Sequence, residues 1–311
     1  MRGLAFMAGA LCALAATPAL AWNARGHMAV AVIAWDQMLP AAQARATELI
    51  KLNPNYSKWT QDASPANRDL IAFARAATWP DEIKSDPAYA NDNVDNAPTT
   101  DGGFSAPRYK HRYWHYKDLA FSPDGTPTEP PETPNAVTQI AAMSADLTST
   151  TTSDAQKAYA LSWIMHLVGD VHQPLHATAR YTAAFPRGDG GGNKVKVCRE
   201  SANTCTDQSS TELHTFWDGA IGTSNSATSA IAKARAMAPA STSSAHEMKV
   251  DAWLDESLTI AKVYAYAPPV GTQDKPYRLT SAYQVNAGSY AERRISLAGA
   301  RLAKLLNAAL D

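Results

Sequence analysis

The chain has 311 residues, 45% of them apolar, with 28 basic and 29 acidic side chains and a formal charge of −1 at neutral pH. So even a balance excludes a nucleic-acid binder that works through a broadly basic surface. If the partner is a polyanion, the attraction has to come from something other than net side-chain charge, and bound divalent metal would supply it.

Residues 1–21 carry one Arg near the start, an apolar middle and the small-residue ending Ala19-Leu20-Ala21. They read as a secretory signal peptide cleaved after Ala21. Residues 22–311 are then one soluble, secreted or periplasmic domain, expected as a monomer. Nothing later in the chain is long and apolar enough to replace that segment as a membrane span. Apolar residues recur at helical spacing through Met28–Leu52, Asn67–Ala77, Asn135–Leu147, Ala155–Val171, Thr211–Ile221, His246–Tyr266 and Ala282–Leu310. The clearest strand is Asn193–Cys198, where Lys and Val alternate after Gly190, Gly191 and Gly192. The expected fold is mainly α, a single-domain helical bundle with a small β-hairpin excursion. Cys198 and Cys205 flank a short polar stretch and, in an exported chain, are most simply a local disulfide.

The segment Tyr159–His176 is apolar on nearly every side up to Val171, as in a helix buried mid-fold, yet it holds His166 and Asp170. Four positions apart, these side chains leave one face of a helix one turn apart and can reach a single ion. A hydrogen-bonded core pair is the simpler reading of one such motif. The spacing returns, however, in His214 and Asp218, among Phe216 and Trp217, and His176 follows just past Pro174. Asp81 and His115 each lie close to a tryptophan, Trp79 and Trp114. Imidazole and carboxylate donors without thiolate suit zinc in a hydrolytic site. Cleavage after Ala21 would also free the amine of Trp22, which with its own carbonyl oxygen can chelate a metal, five positions before His27.

The motifs Trp22-x4-His27, Trp79-Pro-Asp81, Trp114-His115-Tyr-x-Asp118, His166-x3-Asp170, His172-Gln-Pro-Leu-His176, Gly191-Gly-Asn193 and Leu213-His214-x2-Trp217-Asp218 occur in that order. As a set they resemble the zinc-dependent, single-strand-specific type I nucleases, the S-one/P-one family, whose fold is shared with bacterial zinc phospholipases C. The resemblance implies three Zn2+ ions. Asp81, His115, His166 and Asp170 match the ligands of one ion, and His176, His214 and Asp218 those of a second. Trp22 and His27 match the third, with Asp170 bridging. It further implies phosphodiester hydrolysis of single-stranded DNA or RNA to 5′-phosphorylated products, and 3′-nucleotidase action on the same chemistry. Asp118 matches an acidic residue beside the attacking water, and Tyr116 an aromatic that stacks a base. Lys84 falls where fungal members place a phosphate-clamping Arg, which keeps the charge but loses the bidentate fork. Glu212 stands where the family often has Asn. His172 has no ligand counterpart and is expected to support the ligands, and His111 and His246 read as ordinary surface or helix histidines. Two other readings use the same donors: a phospholipase C-like hydrolase, and a secreted zinc-binding protein without catalysis.

Overall fold

The computed structural model describes residues 22–311, so the expected signal peptide, residues 1–21, lies outside the described residues. Among the described residues, twelve α-helices occur in chain order: α1 Ala24–Trp35, α2 Pro40–Ile50, α3 Tyr56–Thr60, α4 Arg68–Ala76, α5 Trp79–Glu82, α6 Ala136–Thr148, α7 Asp154–Asp170, α8 Leu213–Asp218, α9 Ala227–Arg235, α10 Thr242–Ala245, α11 Val250–Ile260 and α12 Ser281–Leu310. The strands are β1 Leu119–Phe121, β2 Thr178–Arg180, β3 Lys196–Arg199, β4 Thr211–Glu212 and β5 Tyr277–Leu279. With 53% helix against 7% strand, the architecture is the mainly α single domain expected. No helix among the described residues is long and apolar enough to cross a membrane.

Several boundaries differ from the periodic reading, for local reasons. The run Met28–Leu52 is two helices, because Pro40 lacks the N–H a continuing helix needs but suits the first turn of α2. The run Thr211–Ile221 opens as strand β4 before α8. His246–Tyr266 starts as a helix only at Val250 and ends in a π-helical turn, Ala261–Ala265. The hairpin excursion is a three-stranded sheet: β3 pairs antiparallel with β4 and parallel with β5. A second, parallel pair joins β1 to β2. It escapes the alternation test because each strand has only three residues. Cys198 and Cys205 form a disulfide across the loop that leaves β3.

The main core is built around α7, whose residues from Ala158 to Asp170 are all buried, packed among α1, α2, α5, α6 and α12. Ser153 caps its start by accepting from the Gln156 N–H. Its C-terminal carbonyls are held by side chains from elsewhere. Ser257 Oγ donates to Val171 O at 2.7 Å, and Arg294 Nε to His172 O at 3.1 Å. His172 Nδ1 donates to Val168 O at 2.7 Å, leaving Nε2 to accept from Arg301 at 2.9 Å. His172 is thus a buried neutral support, its pKa lowered by burial and by the two guanidinium groups. A smaller core holds Leu175, Leu213, Phe216 and Trp217 against β3, β5 and the sequence leading into α12. The turn 171–176 joins the two cores.

Glu256 ion-pairs with Arg294 at 2.6 Å and Arg301 at 2.7 Å, both guanidinium groups being buried. Removing its charge leaves two buried cations uncompensated. Glu256→Gln is expected to cost about 2 kcal/mol, below the loss for a fully buried pair because Glu256 is partly exposed. Urea denaturation measures it, and an unchanged midpoint would contradict the pairing argument.

Candidate metal centre and substrate cleft

The ligand candidates converge where the two cores meet. His166 and Asp170 leave the last turns of α7, and His27 comes from α1. Asp81 sits in α5, whose Trp79 packs edge-on against Tyr159 and Trp163 of α7. His115 ends the 3-10 turn Arg112–His115, His176 lies in the turn Pro174–Ala177, and His214 and Asp218 lie one turn apart on α8. Three sets bring their donor atoms within 4.8 Å of one another: His27, Asp81 and His166; His115, His166 and Asp170; His176, His214 and Asp218.

Hydrogen bonds fix the tautomers of the inner imidazoles. His166 Nδ1 donates to Ala77 O at 2.8 Å, His176 Nδ1 to His115 O at 2.7 Å, and His214 Nδ1 to Gly191 O at 2.7 Å. Each donation leaves Nε2 as a lone pair facing the cluster. The Nε2 atoms of His176 and His214 then stand 2.9 Å apart. Two neutral nitrogens aimed at each other at that distance repel unless a cation lies between their lone pairs. His166 Nε2 meets His115 Nδ1 at 2.9 Å and Asp170 Oδ2 at 3.2 Å, while Asp170 Oδ1 faces His27 Nε2 at 3.3 Å. His27 Nδ1, His115 Nε2 and Asp218 Oδ2 are buried without a hydrogen-bond partner. Polar atoms left so cost free energy that coordination removes.

Titration behaviour agrees. Burial first, then neighbouring charges, lowers His27, His115 and His176, and burial lowers His214 to about 4, so these imidazoles are neutral donors at pH 7. At His166 burial acts downward too, but Asp170 and Asp81 outweigh it and raise the pKa. Burial lifts Asp170 to about 6 and pushes Asp218 well up. At Asp81 burial acts upward, but Lys84, His166 and His27 together outweigh it and lower the pKa. The Lys84 Nζ lies 2.7 Å from Asp81 Oδ1 and is itself buried, so it belongs to the centre rather than to a solvated surface.

Trp22 is fully buried, its ring against Gly26 and near Gly169. Asn23 ties the start of α1 to the centre: its N–H donates to Asp218 O at 3.2 Å, and its side chain caps the helix. Outside the cluster a cleft of about 580 Å³ is lined by His115, His176 and His214 together with Lys84, Arg112, Tyr116 and Asp118. A second hollow of about 240 Å³ adjoins it, sharing Tyr116 and Asp118. Burial, then Asp189 and Glu132, raises Asp118 to about 7. Glu212 also faces the cleft and pairs with Lys196 at 2.7 Å.

Three further supports have roles that only the fold reveals. Gln173 donates to Asp218 Oδ1 at 2.6 Å and accepts from Leu175 N at 2.5 Å, locking carboxylate and turn together. Asp189 Oδ1 accepts from Arg180 N, Gly192 N and Tyr266 Oη, and so shapes the glycine loop that offers Gly191 O to His214. Gly191 is required there: φ is +60°, and a Cβ would lie 2.2 Å from Leu175 O. His111, expected as an ordinary surface or helix histidine, is instead buried and paired. It stacks on Trp114 at 3.6 Å and places Nδ1 2.7 Å from Asp92 and Nε2 3.1 Å from Asp101. The only clue in the sequence is its place next to the Arg-Tyr-Trp-His run.

Comparison with known proteins agrees with this arrangement. Residues 22–311 match the S1/P1 Nuclease family. The chain belongs to that family. It is also 30% identical over 203 residues to Endonuclease 3 of Arabidopsis thaliana, an alignment covering 65% of this chain and 55% of that protein. The chain thus spans little more than half the length of this curated relative. Within the S1/P1 nuclease family the clustered His and Asp donors fit a metal centre by chemistry as well as by position: nitrogen and oxygen donors, buried, neutral or anionic, and short of partners.

The packing of Gly169 gives a direct check. A Cβ there would come within 2.9 Å of His27 Nδ1. Gly169→Ala should displace the His27 ring, cost about 1–3 kcal/mol of stability and weaken metal binding. Denaturation and metal titration of the variant test this, and wild-type values in both would contradict it.

Proposed function

We propose that this chain is an exported, monomeric, three-zinc phosphodiesterase that hydrolyses single-stranded DNA and RNA to 5′-phosphorylated products and acts on 3′-nucleotides. The observation that carries the reading is the facing pair of His176 and His214 lone pairs beside Asp218, next to a second pair made by His115 and His166 beside Asp170. Asp81, His115, His166 and Asp170 would hold one ion, His176, His214 and Asp218 a second, and His27 with the freed amine and carbonyl of Trp22 a third, to which Asp170 would also contribute. When bound, the ions supply positive charge for the phosphate and lower the pKa of water. Three divalent ions against three aspartates make the cleft locally cationic on a weakly acidic protein, as a polyanion requires.

The chain's own residues do the rest. Tyr116 stacks a base at the cleft wall, a contact available to unpaired nucleotides of any sequence. Lys84, held by Asp81, keeps a positive charge beside the phosphate. Asp118, where the two hollows meet, accepts the proton of the attacking water, a task suited to a carboxyl raised to about 7. Cations bound nearby only lower that value. Ionisation of Asp118 therefore gives activity that rises with pH to a midpoint at or below about 7 and is lost on the acid side.

Release of soluble nucleotides from denatured DNA, from duplex DNA and of phosphocholine from lipid, each with and without chelator, tests the assignment. Chelator-sensitive digestion favouring the denatured strand is expected, and activity on lipid alone would replace the nuclease by the phospholipase C-like reading. Asp118→Asn should keep its zinc and lose about a hundredfold or more in rate, together with the acid limb of the pH profile. Undiminished hydrolysis in that variant would remove Asp118 from the mechanism.

A further inference from the structure

Four cationic side chains line the cleft beside the cluster: Lys84, Arg112, Lys194 and Lys196. Three are already engaged. Lys84 is 2.7 Å from Asp81, and Lys196 is 2.7 Å from Glu212. Lys194 donates to Gly188 O at 2.7 Å, and its charge acts on Asp118. Arg112 pairs with no carboxylate among the described residues. A single tether holds it, Nη2 donating to the backbone carbonyl of Lys84 at 2.8 Å. A guanidinium has five N–H groups in a planar fork, so one tether leaves the others uncommitted on a side chain that lines the cleft.

Its backbone is held unusually firmly. Arg112 opens the 3-10 turn that ends at His115. The residue before it, His111, has a left-handed backbone (φ 45°), donates its N–H to Asp92 at 2.8 Å and has both ring nitrogens on carboxylates. Trp114, two residues on, is stacked flat on the His111 ring at 2°. The tether to Lys84 also couples Arg112 to the residue whose ammonium contacts Asp81. The fork therefore stands on the same wall as the cluster, and little ordering remains to be lost when an anion arrives.

We propose that Arg112 is the phosphate fork of this protein, donating two N–H bonds to the non-bridging oxygens of the phosphodiester of a single-stranded nucleic acid. Lys84 offers a point charge there, whereas Arg112 offers the planar bidentate geometry that matches two phosphate oxygens. The assignment rests on the phosphodiesterase reading for its substrate, but its recognition element, a tetrahedral oxyanion, can be probed by itself.

The test compares zinc-loaded wild type, Arg112→Lys and Arg112→Gln, with Arg68→Gln as a remote surface-charge control. Zinc per chain, kcat and KM on denatured DNA, and calorimetric affinity for inorganic phosphate are measured. Arg112→Lys should lose about tenfold and Arg112→Gln about a hundredfold in kcat/KM, with phosphate affinity falling in the same order. Zinc content and melting temperature should stay unchanged, and the control should behave as wild type. If wild type digests DNA and Arg112→Lys matches it in both kcat/KM and phosphate affinity, the fork is refuted while the nuclease reading stands. If wild type fails on nucleic acid but binds phosphate through Arg112, the fork stands and the nuclease reading falls. Loss of zinc in Arg112→Gln would make Arg112 a scaffold for His115 and overturn the proposal.

Discussion

The organisation of this protein depends on imidazole lone pairs that the fold forces to face one another. Each inner histidine has its Nδ1–H committed to a backbone carbonyl, at Ala77, His115 or Gly191, so its other nitrogen can only accept. The rings are buried, which holds His176 and His214 neutral, and the nearby carboxylates of Asp170 and Asp218 are raised by the same burial. No rearrangement of protons pairs all these groups at once. Positive ions do, which is why a buried patch costly in an empty core is useful in a hydrolase of the S1/P1 nuclease family.

Holding that patch requires rigidity on both sides. On the α7 side, Arg294, Ser257 and His172 cap the carbonyls at the end of the helix, and Gln173 carries the restraint across to Asp218. On the other side, Asp189 gathers the glycine loop whose carbonyl orients His214. The cleft wall with Arg112, His115 and Tyr116 is pinned through His111 to Asp92 and Asp101. Few of these supports touch the space where substrate would lie. They set the positions of those that do, and preorganised positions give charges their effect in a low-dielectric site.

Much of this was legible from the chain. Paired His and Asp at helical spacing inside apolar segments announced the centre, because burial and polarity conflict there unless something else is bound. The long helices α7 and α12 also showed in their periodicity. What stayed hidden depends on contacts distant in sequence. The parallel β1–β2 pair is too short for alternation to register, and the break at Pro40 needed the tertiary turn to distinguish it from a kink. His111 looked ordinary because its partners are Asp92 and Asp101, acids in a stretch with no helical or strand pattern. Gln173 lay inside a recognised motif, yet only the fold reveals that its amide reaches α8. Lys84 was singled out by its place three residues after Asp81, whereas its burial and its contact with the Asp81 carboxylate needed the fold.

The most direct measurement is the number of zinc ions bound per chain by the protein beginning at Trp22, determined by elemental analysis after dialysis, alongside His214→Ala. Three ions in the parent and two in the variant are predicted. One ion or none in the parent, or an unchanged count after loss of the His214 ring, would contradict the claim that facing imidazoles and buried aspartates exist to hold metal.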